Sequence, residues 1–314
     1  LLISMPKKQL LGQKSVSKKW VAYLLGMNTV TKNNPNTIIM GTVIFTLLCI
    51  YGVSRITTNH EFKQTLPNES KIAADFNFFQ ENYAGFRPLE IAILAKNGYK
   101  VTDKARINAK LQDVGTDSLK RLYAHIETFA NTATDTTKMT VKVTGKSMLL
   151  DKNSEYIRKS LLEGLLYGLI IIGIIMVLVF KDFKMFLISL VPNLLPMLFA
   201  GSILGFLGIP LEAGLSVVFA IVFGIAVDDT IHFLGKYKLG ITQGLSKEEA
   251  LEKTFTQTGR ALVITTIILF FGFMVMLFSI HQPSITIGII ISVTLVAALI
   301  LDLLLLPVLL RKFT

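Results

Sequence analysis

The chain has 314 residues, 52% of them hydrophobic, with a mean hydropathy of +0.57 and a formal net charge of +11. Several uncharged runs exceed about 18 residues, which excludes an ordinary soluble domain and argues for membrane spans. The single cysteine, Cys49, rules out an intrachain disulfide and a cysteine-based metal site, and His60, His125, His232 and His281 show no ligand spacing.

No cleavable signal peptide is evident. The opening Leu-Leu-Ile-Ser-Met-Pro resembles the tail of an earlier apolar helix, which predicts that the chain is a piece of a longer protein. Residues 1–36 are a basic linker carrying Lys7, Lys8, Lys14, Lys18, Lys19 and Lys32. Within it, the stretch from Lys18 to Leu25 reads either as a short interfacial amphipathic helix, with Trp20 and Tyr23 at headgroup depth, or as a solvated linker.

A first transmembrane helix is expected over 37–54, with Asn34-Pro-Asn as its start signal. Residues 55–160 then turn polar. Ser70 to Tyr83 has helical periodicity, with Ile72, Phe76 and Phe79 on one face. Pro88 to Ala95 reads as a strand, Asn97-Gly as a tight turn, and Asp103 to Asn131 as one helix. Lys138 to Gly145 alternates like a further strand, with Met139, Val141 and Val143 on one side. This predicts a small α+β domain of βαβ type. Its Phe76, Phe78, Phe79 and Phe86 read as core, with a path for apolar cargo as the alternative.

Residues 161–314 hold five more spans, near 161–180, 185–207, 212–234, 260–280 and 284–310. Pro192 and Pro196 remove backbone donors from the second of these and should kink it. Asn193, between them, is either a partner for buried acids or a locally satisfied amide. Ser246 and Glu249 form a capping box, which predicts a short surface helix ahead of the fourth span. Asp302, near the end of the last span, reads as interfacial because Arg311 and Lys312 follow.

The third of these spans carries the informative chemistry, Gly224-Ile-Ala-Val-Asp-Asp-Thr-Ile-His-Phe. A carboxylate near the centre of a membrane helix costs about 2.5–3.5 kcal/mol, so two in a row argue for an ion or proton path between helices. Asp228 and Asp229 would exchange protons as a coupled unit. They point about 100° apart on a helix. His232 stands within one turn of either acid, Gly224 would let another helix approach closely, and Thr230 adds a hydroxyl. Thr265 and Thr266 of the fourth span could donate to the acids or back-bond to their own helix. The alternative is that the acids snorkel to the headgroups.

Lysine and arginine counts orient the chain. With residues 1–36 inside, the inside connections hold Lys181 and Lys184, then Lys236, Lys238, Lys247, Lys253 and Arg260, then Arg311 and Lys312. The short outside connections hold none. The expected topology is six spans, both termini cytoplasmic, with one exported domain after the first span. Membrane topology thus accounts for the positive charge, and no nucleic-acid partner is expected.

With Val191-Pro-Asn-Leu-Leu-Pro, Leu269-Phe-Phe-Gly-Phe and Phe78-Phe-Gln-Glu-Asn-Tyr-Ala-Gly-Phe-Arg-Pro-Leu-Glu-Ile, the chain resembles the resistance-nodulation-division superfamily, and within it the MMPL-like exporters. The resemblance implies a C-terminal six-helix repeat with a porter-like extracytoplasmic domain. It implies proton-driven export of a hydrophobic or lipidic substrate at a bacterial inner membrane, with protons as the coupling ion and no cofactor. Asp228, Asp229 and His232 would form the relay, supported by Gly224, Thr230, Asn193, Thr265 and Thr266. The partners would be membrane lipids and either the N-terminal repeat or a second copy. The last five spans also resemble sterol-sensing domains, so a sterol- or lipid-sensing module is one alternative. A SecD/SecF-type translocation accessory is another. No nucleophile–base or metal constellation points to an enzyme.

Overall fold

Lipid offers the backbone no hydrogen-bond partners, so apolar runs of this length fold as helices that satisfy their own donors and acceptors. A computed structural model describes residues 18–57, 66, 70–83, 85, 87–96, 104–211 and 213–314. The expectations for residues 1–17, His60, Phe86 and the Asn97-Gly turn lie outside the described residues.

Six helices among the described residues are long and apolar enough to cross a membrane. They are α2 (Pro35–Ser54), α5 (Lys146–Phe180), α6 (Phe183–Leu207), α7 (Ala213–Thr242), the composite Lys247–Phe278, and α10 (Gln282–Phe313). The fourth of the last five is composite because α8 (Lys247–Thr254) passes through a π-helical turn at Phe255–Gly259 into α9 (Arg260–Met274) and a closing 3-10 turn. The capping box of Ser246 and Glu249 is present. The helix it opens is nevertheless not a separate surface element. Nothing breaks the chain at Gly259, and Leu251 and Phe255 are buried in the bundle.

The helices α6, α7 and α10 form the interior and pack on one another. The helices α2, α5 and α9 flank them, with outward apolar residues such as Leu47, Ile174 and Ile268. One apolar cluster joins Phe180, Met185, Phe233, Leu251, Leu303 and Leu306, and a second joins Leu204, Leu215, Val218 and Ile291. The helix α6 stays helical through Pro192 and Pro196. It meets α2 very closely, for a Cβ on Gly205 would collide with the Gly52 carbonyl.

Ahead of the bundle, Lys18–Asn33 forms the helix α1 rather than a plain linker. Leu24 and Thr31 are buried under it, whereas Trp20 and Tyr23 stay exposed. Arg311 fastens α1 to the far end of the chain. Its Nε donates to Glu248 Oε1 at 2.9 Å, Nη1 to Thr31 Oγ1 at 2.7 Å, and Nη2 to Asn28 Oδ1 at 2.6 Å.

Between α2 and α5 lies a small α+β unit with α3 (Lys71–Asn82), β1 (Arg87–Ala95), β2 (Lys104–Leu111), α4 (Thr116–Ala133) and β3 (Met139–Thr144). The sheet order is β2-β1-β3 and both pairings are antiparallel. Two expectations are corrected. Residues 104–111 are a strand, because pairing with β1 from Arg87↔Leu111 to Leu94↔Lys104 overrides the helix propensity of Lys, Ala, Arg and Leu. The unit is therefore not a simple βαβ, since β1 separates the two strands joined by α4. The core is Leu89, Leu119, Tyr123 and Val143.

The aromatics of α3 also divide. Phe76 is buried, but Phe78 and Phe79 are exposed and cluster with Tyr83, and Ile72 is exposed too. The expected apolar face of α3 has only Phe76 to contribute to a core.

Arg87 anchors this unit to the membrane helix. Its Nε lies 2.7 Å from Asp113 Oδ1, and its Nη1 lies 2.8 Å from Asp151 Oδ2 on α5. Burial alone would lower the Arg87 pKa; the Asp151 hydrogen bond and the charges of both carboxylates outweigh it and hold the guanidinium above its usual value. The helix α5 begins at Lys146 and runs unbroken to Phe180, well before the expected start at 161.

Candidate functional site

The two adjacent acids of α7 diverge as the helical angle requires. Asp229 is buried, at 7% exposure, and lines the groove between α7 and the fourth span. The Asp228 side chain is 71% exposed and that of His232 67% exposed, with His232 Nε2 3.4 Å from Asp228 Oδ1. Both point into this groove, which has a volume of about 960 Å³. Ile225, Lys236, Gln257, Thr258 and Thr265 share its lining. Gly224 also opens on it, with nothing within 4 Å of the position its Cβ would take.

Thr265 back-bonds to Ala261 and Leu262 carbonyls at 3.1 and 2.9 Å while it faces the groove. Thr266 is buried on the next turn face. Of the two alternatives for these threonines, donation to the acids or back-bonding, Thr265 is the back-bonded case.

Asn193 and Thr230 do come together. Thr230 Oγ1 lies 2.8 Å from Asn193 Oδ1 and 2.8 Å from Asp302 Oδ1. Asp302 is 1% exposed. The interfacial reading of Asp302 is thus corrected: it sits within the bundle, on the face of α10 turned to α6 and α7. The nine residues separating it from Arg311 amount to about 13 Å of helix, too far for a short carboxylate to snorkel. That spacing was the available signal.

On each of the three inner helices the polar residue falls between members of the two apolar clusters. Asn193 follows Ile188 and precedes Ala200, Thr230 follows Val222 and precedes Phe233, and Asp302 follows Leu295 and precedes Leu303. A polar layer of Asn193, Thr230 and Asp302 therefore lies between the two apolar clusters, with Asp229 buried beside it and Asp228 exposed on the flank. Among the described residues, no group of three or more His, Cys, Asp or Glu side chains is placed to hold a metal ion.

The MMPL family model matches residues 87–313, which include the sheet, the polar layer and the groove. The chain belongs to the MMPL family. It is a multi-pass membrane protein. This MMPL chain is also similar, at 29% identity over 107 residues, to a Methanocaldococcus jannaschii protein, MJ1562, whose name calls it only a membrane protein. The match covers 34% of this chain and 28% of that protein, so the chain spans under a third of the relative it matches.

Proposed function

We propose that this MMPL domain drives export of a hydrophobic or lipidic substrate with the proton gradient. The observation that supports the reading best is that Asp228 and Asp229, adjacent on one membrane helix, line a single groove with the first exposed and the second buried. A proton reaching Asp228 from the groove has a second acceptor on the adjacent residue. Neutralising either acid removes a charge that is costly in the bilayer interior and shifts how tightly α6, α7 and α10 can close. His232 lies 3.4 Å from Asp228 one turn away, and Thr230 and Asn193 order the inner side.

The exposed stripe of Gly224, Asp228 and His232 is where the N-terminal repeat, or a second copy, would pack and complete the relay. The coupling ion is the proton, without a cofactor. The lysines and arginines at Lys181, Lys184, Lys236, Lys238, Arg311 and Lys312 support a cytoplasmic position for that end of the bundle, with both termini inside. The α+β unit is then extracytoplasmic, and in a bacterium the location is the inner membrane.

The test is substrate efflux from vesicles under an imposed pH gradient. Asp228→Asn and Asp229→Asn should each abolish gradient-driven efflux while the chain still folds, and full efflux in both rejects the reading. Lipid binding that ignores both pH and these substitutions would favour a sterol- or lipid-sensing module. Co-purification with the protein-translocation channel would favour a SecD/SecF-type role.

A further inference from the structure

The polar layer carries a hydrogen-bond count that does not close in a single way. The Thr230 hydroxyl has one proton to donate, yet its oxygen lies 2.8 Å from two oxygens, Asn193 Oδ1 and Asp302 Oδ1. An amide oxygen can only accept. If Thr230 donates to Asn193, then Asp302 must carry a proton and donate it to Thr230. If Asp302 is ionised, Thr230 donates to it, and Asn193 must turn its amide so that Nδ2 donates to Thr230. Two closed networks exist, and they differ by one proton and one half-turn of an amide. The two 2.8 Å contacts of Thr230 Oγ1 fit both networks, and the surroundings of Asp302 decide between them.

Among the described residues, none gives the buried Asp302 Oδ2 a hydrogen-bond partner, although carboxylate oxygens in protein interiors are ordinarily paired. An ionised Asp302 here would bury an anion with one oxygen unsatisfied, whereas a neutral acid loses far less. Of the elements packed on α10, only α7 turns a titratable group to Asp302, namely Asp229; Lys32 of α1, Lys184 of α6 and Arg260 of α9 lie at helix ends.

We propose that Asp302 is a third proton-carrying acid of this membrane domain, with Thr230 and Asn193 as positioning residues that register its charge. On release, the Asp302 O–H bond breaks and the proton passes to the Asp229 carboxylate. Thr230 then turns to donate to Asp302, and Asn193 turns to donate to Thr230. Three helices thereby change their hydrogen-bond pattern together. The role in transport rests on the proton-coupled reading above; the proton on Asp302 does not.

Infrared spectroscopy of the full-length protein in lipid vesicles tests it. A protonated-carboxyl absorption should persist at neutral pH. It should be lost in Asp302→Asn, kept in Asp228→Asn, and shifted in frequency in Thr230→Val. An alkaline jump should release fewer protons per chain from Asp302→Asn than from the parent. An unchanged band in Asp302→Asn overturns the proposal. Should that variant not assemble, an unshifted band in Thr230→Val overturns it instead. Full gradient-driven efflux by Asp228→Asn and Asp229→Asn would end the pump reading and leave the band in place. A missing band alongside inactive Asp228 and Asp229 variants would remove Asp302 alone.

Discussion

Asp228 and Asp229 are consecutive in the chain and line one groove, yet the first is exposed beside His232 and the second is buried. Chemical access should follow. In the 314-residue chain in detergent, a water-soluble carbodiimide should label Asp228 while Asp229 and Asp302 stay unlabelled until the chain unfolds. Peptide mass spectrometry reads this directly, and equal labelling of all three acids would contradict the burial described.

Two glycines should respond in opposite ways. A side chain on Gly205 meets the Gly52 backbone, so Gly205→Ala must push α2 from α6 and should cost about 1–3 kcal/mol by overpacking. A side chain on Gly224 meets nothing in this chain. Gly224→Leu should leave the thermal stability of the isolated chain unchanged and weaken association with the partner repeat. Thermal unfolding and co-purification separate the two effects.

Much of this was legible beforehand. Span number and order follow from apolar run length, and the twin acids announce themselves because charge is rare in such runs. Asp302 was misread because nearby Arg311 and Lys312 suggested a headgroup position, and only the helical rise places it too deep. The strand β2 was hidden because its residues favour helix and lie exposed along an edge; long-range pairing with β1, not local preference, decides it. The π turn has no local signature, since it exists to bring Phe255 into the bundle core.

The Arg87 triad should dominate the stability of the α+β unit. Its side chain is 11% exposed and bridges Asp113 and Asp151. Arg87→Met removes the cation that pairs with buried Asp113 and half-buried Asp151 and should cost about 3–5 kcal/mol, seen as early loss of the sheet in thermal melts.

Tyr123, in the same core, has a buried hydroxyl whose pKa is raised, first by burial and then by the charge of Asp151. Its folded-state value lies above the ordinary Tyr value of about 10, so the folded state keeps a proton that the unfolded state loses. The associated stability is fully present below about pH 10 and falls as pH rises through the folded value. Tyr123→Phe should abolish that alkaline loss in melts taken across the range.

Arg311 joins the two ends of the chain. Arg311→Ala should release α1, costing about 1.5–3 kcal/mol for its charge-assisted hydrogen bonds, less whatever water recovers at half-exposed Glu248. Arg311→Lys should recover little, because an ammonium cannot reproduce the fork that reaches Glu248, Thr31 and Asn28 together. Limited proteolysis at α1 is the readout.

The unbroken helix from Lys146 to Phe180 has a mechanical corollary. Its 35 residues make a rod about 52 Å long, clamped to the sheet at one end by Asp151 and embedded among apolar neighbours at the other. Pivoting it by about 5° at the embedded end would sweep the opposite end through about 4–5 Å, the scale on which packed helices shift in switching proteins. Small rearrangements in lipid are thereby delivered as levered strokes to the domain it carries.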